Sequence, residues 1–137
     1  MSLKRTAIRQ AAQTAIATAV GTAAHVEADS GYTVDQPPTI RVGWSEEAPG
    51  DDRWQGTSTT YVIGLVVEIY VAMGPSALDS ADDLQATVDS AVAGLVSDGD
   101  LGIVAVLPPT AAVVQSGEGE QNHLRLEIEY PTQYVRD

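Results

Sequence analysis

The chain has 137 residues, enough for one domain that buries roughly two thirds of the surface its unfolded form exposes. Seven Lys and Arg stand against 19 Asp and Glu, and the resulting net charge of −12 repels phosphate backbones and anionic membrane surfaces, which argues against a nucleic-acid reader. Cysteine is absent, which removes disulfide frameworks, thiolate nucleophiles and cysteine metal sites together.

The acidity is concentrated in the middle of the chain. Residues 46–120 hold 13 acidic groups with only Arg53 as a base, whereas the rest of the chain is balanced. Such a surplus serves solubility, and it also suits a surface past which DNA must slide without sticking. Phe is absent, so the core is expected to be built from Val, Ile, Leu and many Ala, in thin and closely packed layers. No apolar run approaches the ~20 residues of a membrane span. At the N-terminus Lys4 and Arg5 precede alanines, but Arg9, Gln10, Gln13 and Thr14 interrupt any signal-like apolar region, and the reading is a mature cytoplasmic chain.

In chain order, Leu3, Ile8, Ala12, Ile16, Val20 and Ala23 recur at helical spacing and predict a helix over residues 2–24, capped by Ser2. Its stripe is mostly alanine, which lets it lie close to a sheet. Lys4, Arg5 and Arg9 crowd its beginning, where positive charge opposes the helix dipole, so they do not serve the helix; they are either solvated or face an acidic neighbour. Residues 25–38 read as a connection punctuated by Gly31 and Pro37-Pro38, with a short extended piece near Tyr32–Val34. A strand is predicted over residues 39–44, with Ile40, Val42 and Trp44 on one face and Arg41 and Gly43 on the other.

Residues 45–56, SEEAPGDDRWQG, then form a polar, acidic loop longer than an ordinary hairpin turn. It carries Arg53 and Trp54, and an indole in such a loop either folds back on the domain or awaits a partner. The run over residues 57–73, TSTTYVIGLVVEIYVAM, follows with a two-residue period. One of its faces is wholly apolar, while Val62, Gly64, Val66, Glu68 and Tyr70 form a second, mixed face. Extended at about 3.3 Å per residue, the run is several times the usual strand length, and it is expected to overhang its domain as a protruding hairpin.

After Gly74-Pro75, Leu78, Ala81, Leu84, Val88, Ala91, Val92 and Leu95 predict a second helix, capped by Ser76 or Ser80, with Asp82 and Asp83 in its first turn and Asp98-Gly99 as its stop. Pro108-Pro109 divides two short extended pieces, of which residues 111–115 make the better strand. Over residues 123–130 alternation is clean, and residues 131–137 read as a short extension. The expectation is a single α+β domain over residues 1–137: a two-layer fold with a mainly antiparallel four-stranded sheet, two helices on one face, and the order α-β-β-α-β-β.

The residues offer little for catalysis. His25 and His123 are the only histidines, no Ser or Thr stands in a nucleophile setting, and adjacent carboxylates such as Asp51-Asp52 point in different directions. Asp98-Gly-Asp100 lacks the remaining ligands of a calcium loop, and Gly117 and Gly119 are flanked by carboxylates that would repel phosphate. No catalytic residue, cofactor or metal site is expected.

The opening Leu3-Lys4-Arg5-Thr6-Ala7-Ile8-Arg9, the Pro38-Thr39-Ile40-Arg41-Val42 strand, the acidic loop and the long strand followed by a helix together resemble the tail terminator proteins of long-tailed phages, the group containing minor tail protein U. The closing Ser116-Gly117-Glu118-Gly119 and Leu124-Arg125-Leu126-Glu127-Ile128-Glu129-Tyr130 fit the same likeness, which covers nearly the whole chain in element order. The resemblance implies a structural virion protein of a phage or prophage tail, assembled in the host bacterial cytoplasm. It implies a homo-oligomer, a hexameric ring, that caps the tail-tube protein, ends tube growth and presents a surface to a head-completion or connector protein. DNA would pass through the lumen without specific binding, and no membrane is involved. The residues themselves nominate Arg5, Arg9, Arg41, Arg53, Trp54, Val66, Glu68 and Tyr70 for contacts with a neighbouring subunit or the tube. The alternatives are another neck or tail-completion component, or a small α+β enzyme or ligand-binding domain with a pocket between helices and sheet.

Overall fold

The computed structural model describes residues 4–28, 38–49, 60–99, 101–116 and 123–135. Helix α1, Lys4–Val20, buries Ile8, Ala12, Ile16 and Val20, one residue per turn on a single stripe. It ends four residues earlier than its alanines suggest. Gly21 takes φ +59° and donates its N–H to the Ala17 carbonyl at 3.0 Å, a left-handed closure that glycine adopts without steric penalty.

Strand β1, His25–Ala28, follows at once and runs parallel to β2, Thr39–Pro49. Strand β2 pairs antiparallel with β3, Thr60–Ala72, and β3 pairs antiparallel along its whole length with β6, His123–Val135. The far edge of β6 is occupied by two strands end to end: β4, Ile103–Val106, lies opposite residues 132–134, and β5, Thr110–Ser116, lies opposite residues 123–129.

The expected four-stranded, mainly antiparallel sheet in the order α-β-β-α-β-β is therefore wrong. The sheet has six strands, is mixed through the parallel β1–β2 pair, and the element order is α-β-β-β-α-β-β-β. Four residues are too few for β1 to show a period, and they sit in what reads as a connection; the piece anticipated near Tyr32–Val34 lies outside the described residues. The break at Pro108-Pro109 separates β4 from β5, because proline has no N–H for the ladder, yet both pieces continue along one edge.

The overhang is also corrected. Every residue of β3 has a partner in β6, from Thr60 opposite Val135 to Ala72 opposite His123, so the described part of the hairpin does not protrude. The cause is β6, which is as long as β3: it continues through Pro131 into residues expected to be a tail, and the Pro131 carbonyl accepts the Leu107 N–H at 2.8 Å. Strand β2 likewise runs on into the predicted loop as far as Pro49, by way of a bulge between Trp44 and Glu47.

Helix α2, Ala77–Ala93, continues as a 3-10 turn over Gly94–Ser97 and buries Ala77, Ala81, Val88 and Val92, with Leu95 beyond. Ser76 occupies the N-cap position without a side-chain cap bond, and Asp79 supplies the favourable charge in the first turn. The two helices pack on each other and on one face of the sheet, α1 over β1 and β2, α2 over β3 and β6. Between the layers lies the core: Ile40 and Val42 from β2, Ile63, Leu65, Val67, Ile69 and Val71 from β3, and Leu124, Leu126 and Ile128 from β6, all closed against the Ile8–Ala12–Ile16 stripe. At about 25 cal/mol per Å² of apolar surface, each fully buried Ile, Leu or Val contributes roughly 1.5–3 kcal/mol. The small alanines of α1 are what bring the helix close enough to seal them.

Candidate interaction surface

Strand alternation sends half of each strand to the helix-free face, and there the register builds a band of charge across the sheet. Glu27, Arg41, Glu68 and Glu127 form one row over β1, β2, β3 and β6, while Thr39, Tyr70 and Arg125 form the row beside it. Arg41 donates from Nε to Glu27 at 2.8 Å and lies 5.3 Å from the centre of the Tyr70 ring. Arg125 donates to Glu68 at 3.1 Å and lies 4.0 Å from Glu127. Signs thus alternate along the band.

Burial works against the charge of Arg41, but the hydrogen bond to Glu27 and the nearby Tyr70 and Glu27 outweigh it and raise its pKa. Arg125 behaves alike: burial opposes its charge, while Tyr70, Glu68 and Glu127 more than offset that. Both guanidinium groups are fixed cations set among the three carboxylates of Glu27, Glu68 and Glu127. Below it, Gly64 is buried and its missing side chain leaves room for two others: a Cβ there would lie 2.9 Å from Cδ of Glu129 and closer still to Oγ of Ser45.

A second cluster ties α1 to the foot of the sheet. The bulge after Trp44 turns Glu47 to the helix side, where its carboxylate accepts from Nη1 of Arg5 at 2.8 Å and from the Tyr134 hydroxyl. The Arg5 guanidinium lies 4.5 Å over the Trp44 ring, and Tyr61 packs on Tyr134 with ring centres 6.3 Å apart. Of the two readings for Arg5, solvated or facing an acid, the second holds, and the acid is in the same chain.

The nominated residues fall into three groups. Arg41, Val66, Glu68 and Tyr70 share the helix-free face, with Arg41 and Tyr70 buried and Val66 and Glu68 half-buried. Arg5 and Arg9 lie on the helix layer, Arg5 in the Glu47 cluster and Arg9 donating to Gln13 at 3.0 Å, one turn along. Arg53 and Trp54 lie outside the described residues. Sequence reasoning missed Glu27, Glu47 and Arg125 as their partners. The alternation on β6 places Arg125 outward, but its meeting with Glu68 depends on β6 lying next to β3.

Among the described residues, two grooves bear on function. One, about 590 Å³, runs between the helices and is lined by small residues including Ala11, Ala15, Ala91 and Gly94. The other, about 330 Å³, lies beside Pro108-Pro109 and includes Val96, Leu107, Asp89 and Tyr130. In it the Tyr130 hydroxyl donates to Asp89. Burial first, and then that hydrogen bond and the charge of Asp89, raise the phenol's pKa far above its ordinary value, so it is a fixed donor and not a proton carrier. Among the described residues, no three His, Asp or Glu side chains lie close enough to hold a metal ion.

Among the described residues, the outer edge of β5 is an open edge of the sheet. Its seven residues, TAAVVQS, carry no charge, and Ala111, Ala112 and Val113 are exposed, Val113 by 54%. Among the described residues nothing pairs with this edge, and it has none of the lysines, prolines or inward charges that keep such edges from associating. Comparison with protein-family models finds no family that matches this sequence, and comparison with curated proteins finds no match either.

Proposed function

We propose that this protein is a non-catalytic structural subunit that assembles with copies of itself into a ring of the tail terminator kind. The ring, hexameric by the resemblance, caps the tail tube, ends its growth and offers its opposite side to a head-completion or connector protein. The observation that carries the reading is the β5 edge: seven uncharged residues with an exposed valine, in a chain whose net charge of −12 otherwise keeps copies apart. An isolated soluble domain gains nothing from such an edge, whereas an assembling one joins through it. The acidic middle of the chain supports the second half of the reading, since a lumen lined by carboxylates lets DNA pass without adhering.

Light scattering of the purified chain, alone and mixed with tail tubes, tests this, with negative-stain microscopy of the mixtures. Rings in solution, or rings seated on tube ends that stop further elongation, are the expected result. A chain that stays monomeric in both conditions and leaves tube length unchanged overturns it.

A further inference from the structure

The two lateral edges of the sheet are complementary. Register carries one row of residues straight across the molecule: Val26 of β1, Ile40, Ile69, Leu126 and Val113 of β5. The next row runs through Glu27, Arg41, Glu68, Glu127 and Ala112. The two outer strands therefore lie at the same height and in the same phase of the pleat. Their directions also match. Since β1 is parallel to β2, and each later step to β3, β6 and β5 is antiparallel, β5 runs opposite to β1.

The helix layer is asymmetric along the same axis. Helix α1, over β1 and β2, carries no acid, and its bases Lys4, Arg5 and Arg9 gather in its N-terminal turns, toward Glu47 and Gly102; α2, over β3 and β6, carries Asp79, Asp82, Asp83 and Asp89 and no base. Helix α2 covers β3 and β6 and leaves Val113 of β5 exposed on the helix side of the sheet.

We infer that, within the ring proposed above, on which this inference rests, copies join head to tail: β5 of one copy pairs antiparallel with β1 of the next. The sheet then continues without a slip in register, the second copy's α1 covers Val113, and a helix without acids comes to lie beside an acidic one. Two-fold pairing of β5 with β5 would instead set acidic α2 beside acidic α2. A head-to-tail contact is heterologous, and because sheets twist with one hand its repetition turns each copy in the same sense, which closes as a ring or winds as a filament.

The natural absence of cysteine makes the test direct. The double variant Val26→Cys/Val113→Cys, assembled and then mildly oxidised, should give a ladder of disulfide-linked multimers up to the full ring, and a mixture of the two single variants only dimers. Val113→Lys, which places a charge on an exposed edge position, should shift the protein to monomer mass with an unchanged melting temperature. Rings without a ladder, or Val113→Cys alone cross-linking as well as the double variant, overturn the edge pairing and leave the ring reading intact. Failure of the unmodified chain to assemble either alone or on tail tubes overturns both.

Discussion

At the scale of single residues, the basic side chains at the start of α1 show how an unfavourable local placement is resolved elsewhere in the chain. Arg5 opposes the helix dipole, at a cost of a few tenths of a kcal/mol, but it reaches Glu47, Trp44 and, through the shared carboxylate, Tyr134. Glu47 is the centre of that cluster, with a side chain only 13% exposed. Its removal leaves a partly buried guanidinium and a fully buried phenol without their acceptor. Glu47→Ala should therefore lower stability by about 2–3 kcal/mol, read as the shift in a urea unfolding midpoint at unchanged slope. Glu47→Gln, which keeps an acceptor oxygen, should lose about half as much. Equal, negligible losses in both variants would mean that the cluster is ornamental.

At the scale of elements, β3 is the strand on which the sheet is built, and its two faces do different work. The helix side is continuous core, and the other side is a narrow track on which Gly64 is a fitted gap. Substituting Gly64 with Val forces Ser45 and Glu129 aside, together with the bond from Ser45 Oγ to the Gly64 carbonyl. Valine's preference for strands acts in its favour, yet overpacking between two ordered neighbours costs about 1–3 kcal/mol, so a net loss is expected in thermal unfolding. Gly64→Ala should lose less, since both neighbours are side chains that can turn. Tyr70, also on this face, lies under the Arg41 guanidinium and is 8% exposed, which makes it part of the fold and unsuitable as a free contact. Val66 is only half-buried and stays available for one.

At the scale of the whole molecule, the edge proposed to join copies is uncharged while each copy carries a net charge of −12. Head-to-tail assembly through that edge works against like-charge repulsion and should strengthen with salt, because the Debye length falls from about 10 Å at 0.1 M to about 3 Å at 1 M. The expected result is a monomer mass in sedimentation at low ionic strength that gives way to a ring as sodium chloride rises, with the far-UV circular dichroism unchanged. Assembly that weakens steadily with salt would instead point to a contact held by opposite charges.

The sequence by itself determined the helices, the apolar face of β3, the alternation of β6 and the helical side of the core, because each depends on a period that recurs within one element: Ile8, Ala12, Ile16 and Val20 in α1, or Leu124, Leu126 and Ile128 in β6. Only the tertiary structure decided the parallel β1, the bulge that turns Glu47 inward, and the full pairing of β3 along β6, which removes the overhang. It also decided that Glu27, Arg41, Glu68 and Arg125 meet in one band. The physical reason is that strand neighbours and their register are set by contacts between residues far apart in the chain. A four-residue strand, a one-residue shift or a partner 57 positions away leaves no mark in the local pattern.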